Sequence, residues 1–202
     1  MNVQVIDVGA YGENCIVVDD GKVAWVVDPG DEFGRIREAL GGLELRRILL
    51  THGHLDHISA IPDMVAAFPA VPTMMHPEDS AWAFTDINSF APYTAVLQKP
   101  ANIRAVADGD ELADGGLRAE VIHTPGHSPG SVCYLMDGLL ISGDTLFAGS
   151  CGRTDLPGGN PARMAESLER LSKLDGSIRV IPGHGPETTI ARERACNPFM
   201  RT

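Results

Sequence analysis

Short apolar runs rich in valine, isoleucine and leucine alternate with glycine- and proline-containing turns along most of the chain, which predicts many short β-strands. Nine strands are predicted, near residues 2–8, 14–19, 23–28, 46–51, 71–75, 117–123, 131–136, 138–143 and 178–182. Apolar positions at helical spacing predict five helices, near residues 33–41, 57–68, 77–84, 162–173 and 187–194. Residues 85–103 follow neither period and are predicted to form an irregular segment, of the kind that can border an active site.

These elements run from strand-rich to helical and back to strand-rich, an order that favours two packed sheets with helices on their outer faces. The chain has 202 residues, of which 44% are hydrophobic and 21% charged, so it is long enough for one domain with a substantial core. It contains no internal linker, low-complexity run or block of like charges. We therefore expect a single α/β domain over residues 1–202.

The densest chemical signal is the segment THGHLDH at residues 51–57, which holds three histidines and an aspartate. Imidazole and carboxylate are ligands for zinc or iron, so the segment predicts a metal site rather than a solvated, histidine-rich loop. It joins a predicted strand to a predicted helix, where His52 and His54, two apart in extended chain, point to the same side. Asp56 and His57 are adjacent and diverge, so the spacing predicts two metal sites instead of one four-ligand cage.

Three further turns, each directly after a predicted strand, carry a histidine or an aspartate. Rigid turns at strand ends collect functional side chains because the scaffold fixes their position. The turns are HTPGHSPG at residues 123–130, GDT at residues 143–145 and PGHGP at residues 182–186. Together with the first segment, they predict one shared metal centre. The remaining histidine, His76, is expected to be an ordinary half-buried residue at the end of a short strand.

In combination, these motifs resemble the metallo-β-lactamase superfamily, and within it the short bacterial proteins of the glyoxalase II (hydroxyacylglutathione hydrolase) type. The resemblance rests on THGHLDH at 51–57, HTPGHSPGS at 123–131, SGDTLF at 142–147 and IPGHG at 181–185, with CGRTDLPGG at 151–159. It covers nearly the whole chain and implies a four-layer αββα sandwich with the metals at one edge of the sheets. It also implies that residues 1–202 lack the C-terminal helical domain with which longer glyoxalase II enzymes bind glutathione.

By the same resemblance, seven residues would bind two divalent metal ions. His52, His54 and His127 would hold the first ion, Asp56, His57 and His184 the second, and Asp144 would bridge them. Asp28 and His123 would support these ligands by hydrogen bonds from outside the coordination sphere. Zinc is the expected ion, with iron or a mixed iron–zinc pair as the alternatives.

The resemblance implies a thioesterase that hydrolyses an S-acyl thioester, such as S-lactoylglutathione, with a hydroxide that bridges the two ions. Asp144 would hold both ions together, and Asp56 would be able to hydrogen-bond the nucleophile. Arg153 is expected either to bind a substrate carboxylate or to pair with Asp155 and stiffen its loop. Two other functions stay open, namely an iron-dependent persulfide dioxygenase and a non-catalytic metal-binding sensor or scaffold domain.

Charge and composition argue against several classes of partner. The formal net charge is −11, and no basic run is longer than Arg46-Arg47, so nucleic acid is not an expected partner. No apolar stretch approaches the ~18 residues of a membrane span, and no secretory signal precedes the first predicted strand. The four cysteines lack a disulfide or metal-binding spacing, and Cys15 and Cys133 fall in strand patterns. We expect reduced thiols, a cytoplasmic protein and a small-molecule thioester as its partner.

Overall fold

The computed structural model describes residues 1–200, and its first sheet has six strands in sequence order. The antiparallel strands are β1 (Asn2–Val8), β2 (Glu13–Asp19) and β3 (Val23–Val27). They are followed by β4 (Glu44–Leu49), β5 (Thr73–Met75) and β6 (Ile103–Ala105), which run parallel to β3. Because parallel neighbours point the same way, the segments that leave β3 and β4 emerge at the same edge of the sheet.

The second sheet also has six strands, four of which form an antiparallel meander. These are β7 (Glu111–Asp114), β8 (Leu117–His123), β9 (Val132–Met136) and β10 (Leu139–Gly143). A separate small hairpin follows, formed by β11 (Leu146–Phe147) and β12 (Ser150–Cys151). The sheet is completed by β13 (Arg179–Pro182), parallel to β10, and by β14 (Thr188–Thr189), antiparallel to β13.

Within residues 1–200, six α-helices cover the outer faces of the two sheets or connect their strands. They are α1 (Phe33–Leu40), α2 (Leu55–Ile58), α3 (Ile61–Ala67), α4 (Pro77–Ser80), α5 (Pro161–Ser172) and α6 (Ile190–Cys196). The first three share a core cluster with the first sheet, through residues such as Ile36 and Ile61. The last two share a cluster with the second sheet, through residues such as Leu168 and Ile190.

The strand alternation explains how one chain builds three apolar layers. In β2, Ile16 and Val18 face the layer between the two sheets, where they join Tyr134 of the second sheet. Val17, between them, faces outward and joins Ile36 of α1. Successive side chains of a strand point to opposite faces, so a strand that is buried on both faces reads as a continuous apolar run. The predicted αββα sandwich is confirmed.

The structure differs from the predicted elements where local rules compete with periodicity. The predicted helix 57–68 is divided into α2 and α3, because Pro62 in the first turn of α3 has no N–H to continue the first helix. The predicted helix 187–194 begins at Ile190, because Thr188 and Thr189 pair with β13 and Thr189 caps α6. The predicted helix 77–84 ends at Ser80. The sequence analysis missed β6, β7, β11, β12 and β14, since strands of two to four residues are too short to show a period.

The cysteines differ in burial, and the helices are short. All four cysteines are free thiols, and Cys15 and Cys133 are fully buried in the core. Cys151 is partly buried and Cys196 is exposed. Within residues 1–200, no helix has the length and apolar character needed to cross a membrane.

Candidate metal centre

The segment THGHLDH leaves β4 and enters α2, and every one of its residues is buried. His54 is the N-cap residue of α2 in extended conformation, which ends the strand-like section of the segment. His52 and His54 therefore lie on one side of the chain, whereas Asp56 and His57 belong to the first helical turn. The local backbone alone divides the four side chains into two pairs.

His127, from the turn after β8, completes a group of three imidazoles with His52 and His54. One ring nitrogen of each lies within 4.8 Å of the others, and His54 Nδ1 is 2.8 Å from His127 Nε2. The ring centroid of His52 lies 4.9 Å from that of His54 and 4.8 Å from that of His127. We call His52, His54 and His127 the first triplet.

His184, from the turn after β13, forms a second group with Asp56 and His57, which we call the second triplet. Its Nε2 atom lies 3.3 Å from both Asp56 Oδ2 and His57 Nε2. The turn is held by Asn14 of β2, whose Nδ2 donates to Pro182 O at 3.0 Å and to Gly185 O at 2.9 Å. A contact between the two sheets therefore fixes the position of His184.

Asp144, directly after β10, lies between the two triplets. Its Oδ1 atom is 3.4 Å from His57 Nε2, and its Oδ2 atom is 3.5 Å from His127 Nε2 and 3.8 Å from His184 Nε2. Among residues 1–200, Asp144 Oδ1 and His52 Nε2 are buried without a hydrogen-bond partner. Buried polar atoms are nearly always paired, so this convergence of unpaired acceptors indicates a cation site.

Four of the five histidines are oriented by a hydrogen bond at the nitrogen that faces away from the cluster. Such a bond fixes the ring and leaves the other nitrogen free to bind a metal ion. The four pairs are His52 Nδ1 with Thr51 Oγ1 (3.0 Å), His57 Nδ1 with Asp28 Oδ2 (3.0 Å), His127 Nδ1 with Arg153 O (2.8 Å) and His184 Nδ1 with Tyr11 O (3.2 Å).

Burial and neighbouring charges shift the pKa values of His54 and His57 in opposite directions. Burial and the neighbouring His127 together lower the pKa of His54 to about 3. Burial and the neighbouring His57 hold the pKa of His52 well below its usual value. Burial also opposes the charged form of His57, but Asp144 and Asp56 outweigh it and raise the pKa of His57. Burial likewise opposes ionisation of Asp144, yet His57 holds that carboxyl's pKa well below its usual range. Burial thus favours the neutral form of His52 and His54, whereas the carboxylates of Asp56 and Asp144 favour a positive charge at the position of His57.

Asp28, which was predicted to support the ligands by hydrogen bonds, contacts both Thr51 and His57. The carboxylate accepts hydrogen bonds from Thr51 N at 2.7 Å and Thr51 Oγ1 at 2.6 Å, besides its contact with His57. Its backbone has φ of +48°, an uncommon conformation for a residue other than glycine. With its oxygens engaged in this way, Asp28 anchors the ligand segment from behind.

The structure does not bring His123 into this network. Its ring stacks on His76 with centroids 4.2 Å apart, and His123 Nε2 donates to Pro129 O at 3.0 Å. No hydrogen bond within the described residues joins its ring to a predicted ligand. His76 is partly buried, as expected, and burial with the nearby His123 lowers its pKa.

Two buried carboxyls that the sequence analysis missed support the centre. Asp79 of α4 accepts from Gly53 N at 2.8 Å, Ser128 Oγ at 2.6 Å and Gly130 N at 2.6 Å. It therefore ties the segment of His52 and His54 to the turn of His127. Its sequence position, an acid in the first turn of a helix, is so common that no pattern distinguishes it.

The second carboxyl is Glu13, the first residue of β2. It is fully buried, its Oε1 atom is 3.6 Å from His57 Nδ1, and neither carboxyl oxygen has a hydrogen-bond partner in the described chain. Burial raises the pKa of Glu13 well above its usual value. A single acid at the start of a strand carries no sequence signal for such a position.

A cleft of about 620 Å³ opens onto the centre. Its lining includes ligands of both triplets, namely His54, His127, Asp56 and His184, together with Asp144. The other lining residues are Tyr11, Phe90, Phe147, Ser150, Cys151, Arg153 and Leu156. The cleft thus gives a small molecule access to both triplets at once.

Arg153 forms an ion pair with Asp155, which is one of the two roles that the sequence predicted for this arginine. Arg153 Nε and Nη2 donate to Asp155 Oδ1 and Oδ2, each at 2.7 Å. Both side chains are exposed, and Arg153 also borders the cleft. The pair does not prevent contact between Arg153 and a bound molecule, so the substrate-binding reading stays a prediction.

Comparison with known proteins yields relatives that align with almost the whole chain. An uncharacterized protein of Aquifex aeolicus is 40% identical, over 98% of this chain and 97% of its own. A probable metallo-hydrolase of Bacillus subtilis, YqgX, is 38% identical, over 96% of this chain and 94% of its own. The hydroxyacylglutathione hydrolase GloC of Haemophilus influenzae is 33% identical, over 100% of this chain and 99% of its own.

Solved structures and a family model agree with these relatives. The B3 metallo-β-lactamase BLEG-1 is 34% identical with a TM-score of 0.91, and the alignment covers 100% of both chains. A di-iron-bound form of TTHA1623 is 37% identical with a TM-score of 0.87, and the alignment covers 97% of this chain and 99% of that one. The family model described as the metallo-β-lactamase superfamily matches residues 8–184. The chain belongs to the metallo-β-lactamase superfamily.

Proposed function

We propose that this protein is a binuclear metallohydrolase that cleaves thioesters. The observation that carries the proposal is the pair of triplets with the Asp144 carboxylate between them, whose oxygens lie 3.4–3.8 Å from ring nitrogens of both triplets. Two three-ligand groups with one shared carboxylate are the arrangement expected for two divalent ions a few ångströms apart. The cleft leaves one side of this arrangement open to a substrate.

The donor set fits metal ions in number and in chemistry. His52 Nε2 and Asp144 Oδ1 are buried acceptors that no group within residues 1–200 satisfies, as expected for atoms that bind a cation. Imidazole and carboxylate donors suit both zinc and iron. Zinc is the ion we propose first, and the di-iron form of the 37% identical TTHA1623 supports iron as the alternative.

Two such ions, when bound, supply a nucleophile at neutral pH by lowering the pKa of a shared water to about 7, and they polarise a carbonyl. The protein's own residues set the geometry of this reaction. Asp144 fixes the relation of the triplets, and Asp56, which borders the cleft, is placed to accept a hydrogen bond from the attacking water. Asp28 and Asp79 hold the ligand segments rigid, so that little reorganisation is needed during the reaction.

A thioester is the substrate class that this site suits best. A thiolate is a stable leaving group and departs without prior protonation. The reaction therefore needs no proton donor such as the Tyr11 hydroxyl at the cleft, which already donates its hydrogen bond to Ala91 O. The name of the relative GloC, a hydroxyacylglutathione hydrolase, supports the same reaction. S-lactoylglutathione is therefore the first substrate to test.

The test is a substrate panel with metal content measured on the same protein sample. The panel contains S-lactoylglutathione and simpler thioesters, a β-lactam, a lactone and a phosphodiester. We expect two metal ions per chain and the highest kcat/KM for a thioester. A Lys173→Ala variant is the control, because this exposed residue at the end of α5 lies outside both triplets and the cleft lining, and the variant should retain both ions.

Each alternative function has its own outcome in this test. One iron per chain with persulfide-dependent oxygen uptake would make the protein a dioxygenase instead. Preferential turnover of the β-lactam would make the protein a β-lactamase, the activity that the name of BLEG-1 states. A metal-loaded protein that turns over no substrate would be a sensor or scaffold domain.

A further inference from the structure

We propose that His76, Glu78 and His123 form a third metal site, outside both triplets, for a divalent transition-metal ion such as Zn²⁺. None of the three residues belongs to a triplet or lines the cleft. The proposal therefore goes beyond the thioesterase function and does not depend on it. We call these three residues the peripheral cluster.

The peripheral cluster joins a helix that follows the first sheet to a strand of the second sheet. His76 is the N-cap residue of α4, and Glu78 lies in the first turn of the same helix. His123 is the last residue of β8. One ligand atom of each side chain lies within 4.8 Å of the others. Among residues 1–200, this is the one such group that shares no residue with the two triplets.

The His123 ring is already oriented as a metal ligand. Its Nε2 atom donates to Pro129 O at 3.0 Å, so the lone pair of the neutral ring is on Nδ1. No hydrogen bond within the described residues engages this Nδ1 atom. His127 and His184 have the same arrangement in the triplets, with one ring nitrogen bonded to a backbone carbonyl oxygen and the other facing the metal position.

His76 supplies the second imidazole and is free to turn towards an ion. Its ring stacks on that of His123, with centroids 4.2 Å apart and planes 12° from parallel, so His76 must rotate before both rings point at one ion. The rotation breaks a long hydrogen bond, from Glu78 N to His76 Nδ1 at 3.3 Å, on an exposed surface where water can replace it. Burial and the neighbouring His123 lower the pKa of His76, which favours the neutral, metal-binding form of the ring.

Glu78 supplies a carboxylate whose present partner is easily replaced. Its Oε2 atom lies 4.0 Å from Arg163 Nη1, and both side chains are exposed. An exposed ion pair of this kind contributes little, so a divalent ion can take the place of the guanidinium group. Two imidazoles and one carboxylate favour zinc, copper or nickel over magnesium and calcium, which prefer oxygen ligands.

An ion in the peripheral cluster would cross-link two segments that hold the first triplet. Asp79, next to Glu78, accepts a hydrogen bond from Gly53 N in one of these segments. His123 begins the turn that carries His127 in the other. The third ion therefore has a structural role, and its binding to the folded protein should raise the Tm.

The experiment is a calorimetric titration of the holoenzyme with Zn²⁺, after its metal content has been measured, with the Tm recorded on the same samples. We expect one further ion per chain and a Tm that rises with its occupancy. In His76→Asn, the asparagine keeps an acceptor at the N-cap of α4 but lacks the imidazole, so this ion should bind at least about tenfold more weakly. In Arg163→Ala, which frees Glu78, the ion should bind about two- to fivefold more tightly.

Lys173→Ala is the matched control for Arg163→Ala, because it removes the same single positive charge at the other end of α5 and should leave the affinity unchanged. Anomalous diffraction from crystals of the titrated protein locates the ion. The proposal would be overturned by the absence of a further ion, by an ion bound away from the three side chains, or by wild-type affinity in His76→Asn. Equal affinities of Arg163→Ala and Lys173→Ala would also overturn it. None of these readouts uses a substrate, so this proposal and the thioesterase function can fail separately.

Discussion

Asp79 should control the first triplet without being a ligand. The perturbation is the near-isosteric change Asp79→Asn, with Asp79→Ala as the stronger variant. The wild-type carboxylate accepts Gly130 N and Trp82 Nε1 at Oδ1, and Gly53 N and Ser128 Oγ at Oδ2. An asparagine in the same rotamer keeps one acceptor side and presents an NH₂ group to the other.

The magnitude follows from the donors that lose their partner. In Asp79→Asn, Ser128 Oγ can turn and accept from the new amide, so Gly53 N is the one buried donor left unpaired, at about 1–3 kcal/mol. In Asp79→Ala, both Gly53 N and Gly130 N are orphaned, which costs about 2–6 kcal/mol by the same estimate. Trp82 is partly exposed and can bond to water.

The assay has two parts, denaturant unfolding of the metal-free variants and metal analysis after reloading. Gly53 lies between His52 and His54, so we expect Asp79→Asn to lose the first-triplet ion and retain the other. Anomalous diffraction from crystals of the reloaded variant would locate the remaining ion. Asp63→Asn, the same change at an exposed acid in the first turn of α3, should cost at most about 1 kcal/mol.

Two results would refute this reasoning. One is an Asp79→Asn variant that unfolds at the same denaturant concentration as Asp63→Asn. The other is equal loss of both ions in the reloaded Asp79→Asn variant. Either result would mean that the carboxylate does not position the segments that carry His52, His54 and His127.

Three further predictions concern the bridge, an exposed turn and the metals. Asp144→Ala should lose both ions, because the Asp144 carboxylate lies within 3.8 Å of ring nitrogens of both triplets, and full two-ion occupancy by metal analysis would contradict the bridging role. The Asp20 carboxylate accepts backbone N–H groups of Val23, Gly116 and Lys22, which lower its pKa from 3.8 to about 2. Because the pKa of Asp20 is lower in the folded protein than in the unfolded chain, the ionised carboxylate stabilises the folded protein above pH ~4. This stabilisation is lost as the pH falls towards 2, so the Tm difference between wild type and Asp20→Asn should shrink over that range. Chelation should lower the Tm through loss of bound ligand but leave the far-ultraviolet circular dichroism at 25 °C unchanged, since the three apolar cores do not include the ligands. Loss of that signal on chelation would show that the metals are needed for folding.

Much of the centre could be predicted from the sequence because its ligands follow directly after buried strands. Runs such as the one before Thr51 mark where a strand ends, and the histidines and aspartates in the next few positions supply the chemistry. The separation of His52 and His54 from Asp56 and His57 followed from the two-residue period of extended chain. The layered αββα fold followed from the order of elements and the resemblance of the motifs.

The sequence did not reveal contacts between residues far apart in the chain. Asp79 reaches Gly53 and Gly130, which lie 26 and 51 positions away, and Glu13 of β2 reaches His57 of α2. No periodicity relates such residues. The same reason explains why His123, although it belongs to a ligand-bearing turn, faces His76 instead of the centre.

The sequence by itself determined which residue types could bind metal and at which strand ends they lie, because both depend on neighbours within a few positions. The tertiary structure decided which ligands share a site, which nitrogen of each histidine faces it and which buried carboxyls hold it rigid. It also decided that Arg153 is paired with Asp155 at the edge of an aromatic cleft. These features depend on side-chain packing and hydrogen bonding between separate strands, which arise when the two sheets come together.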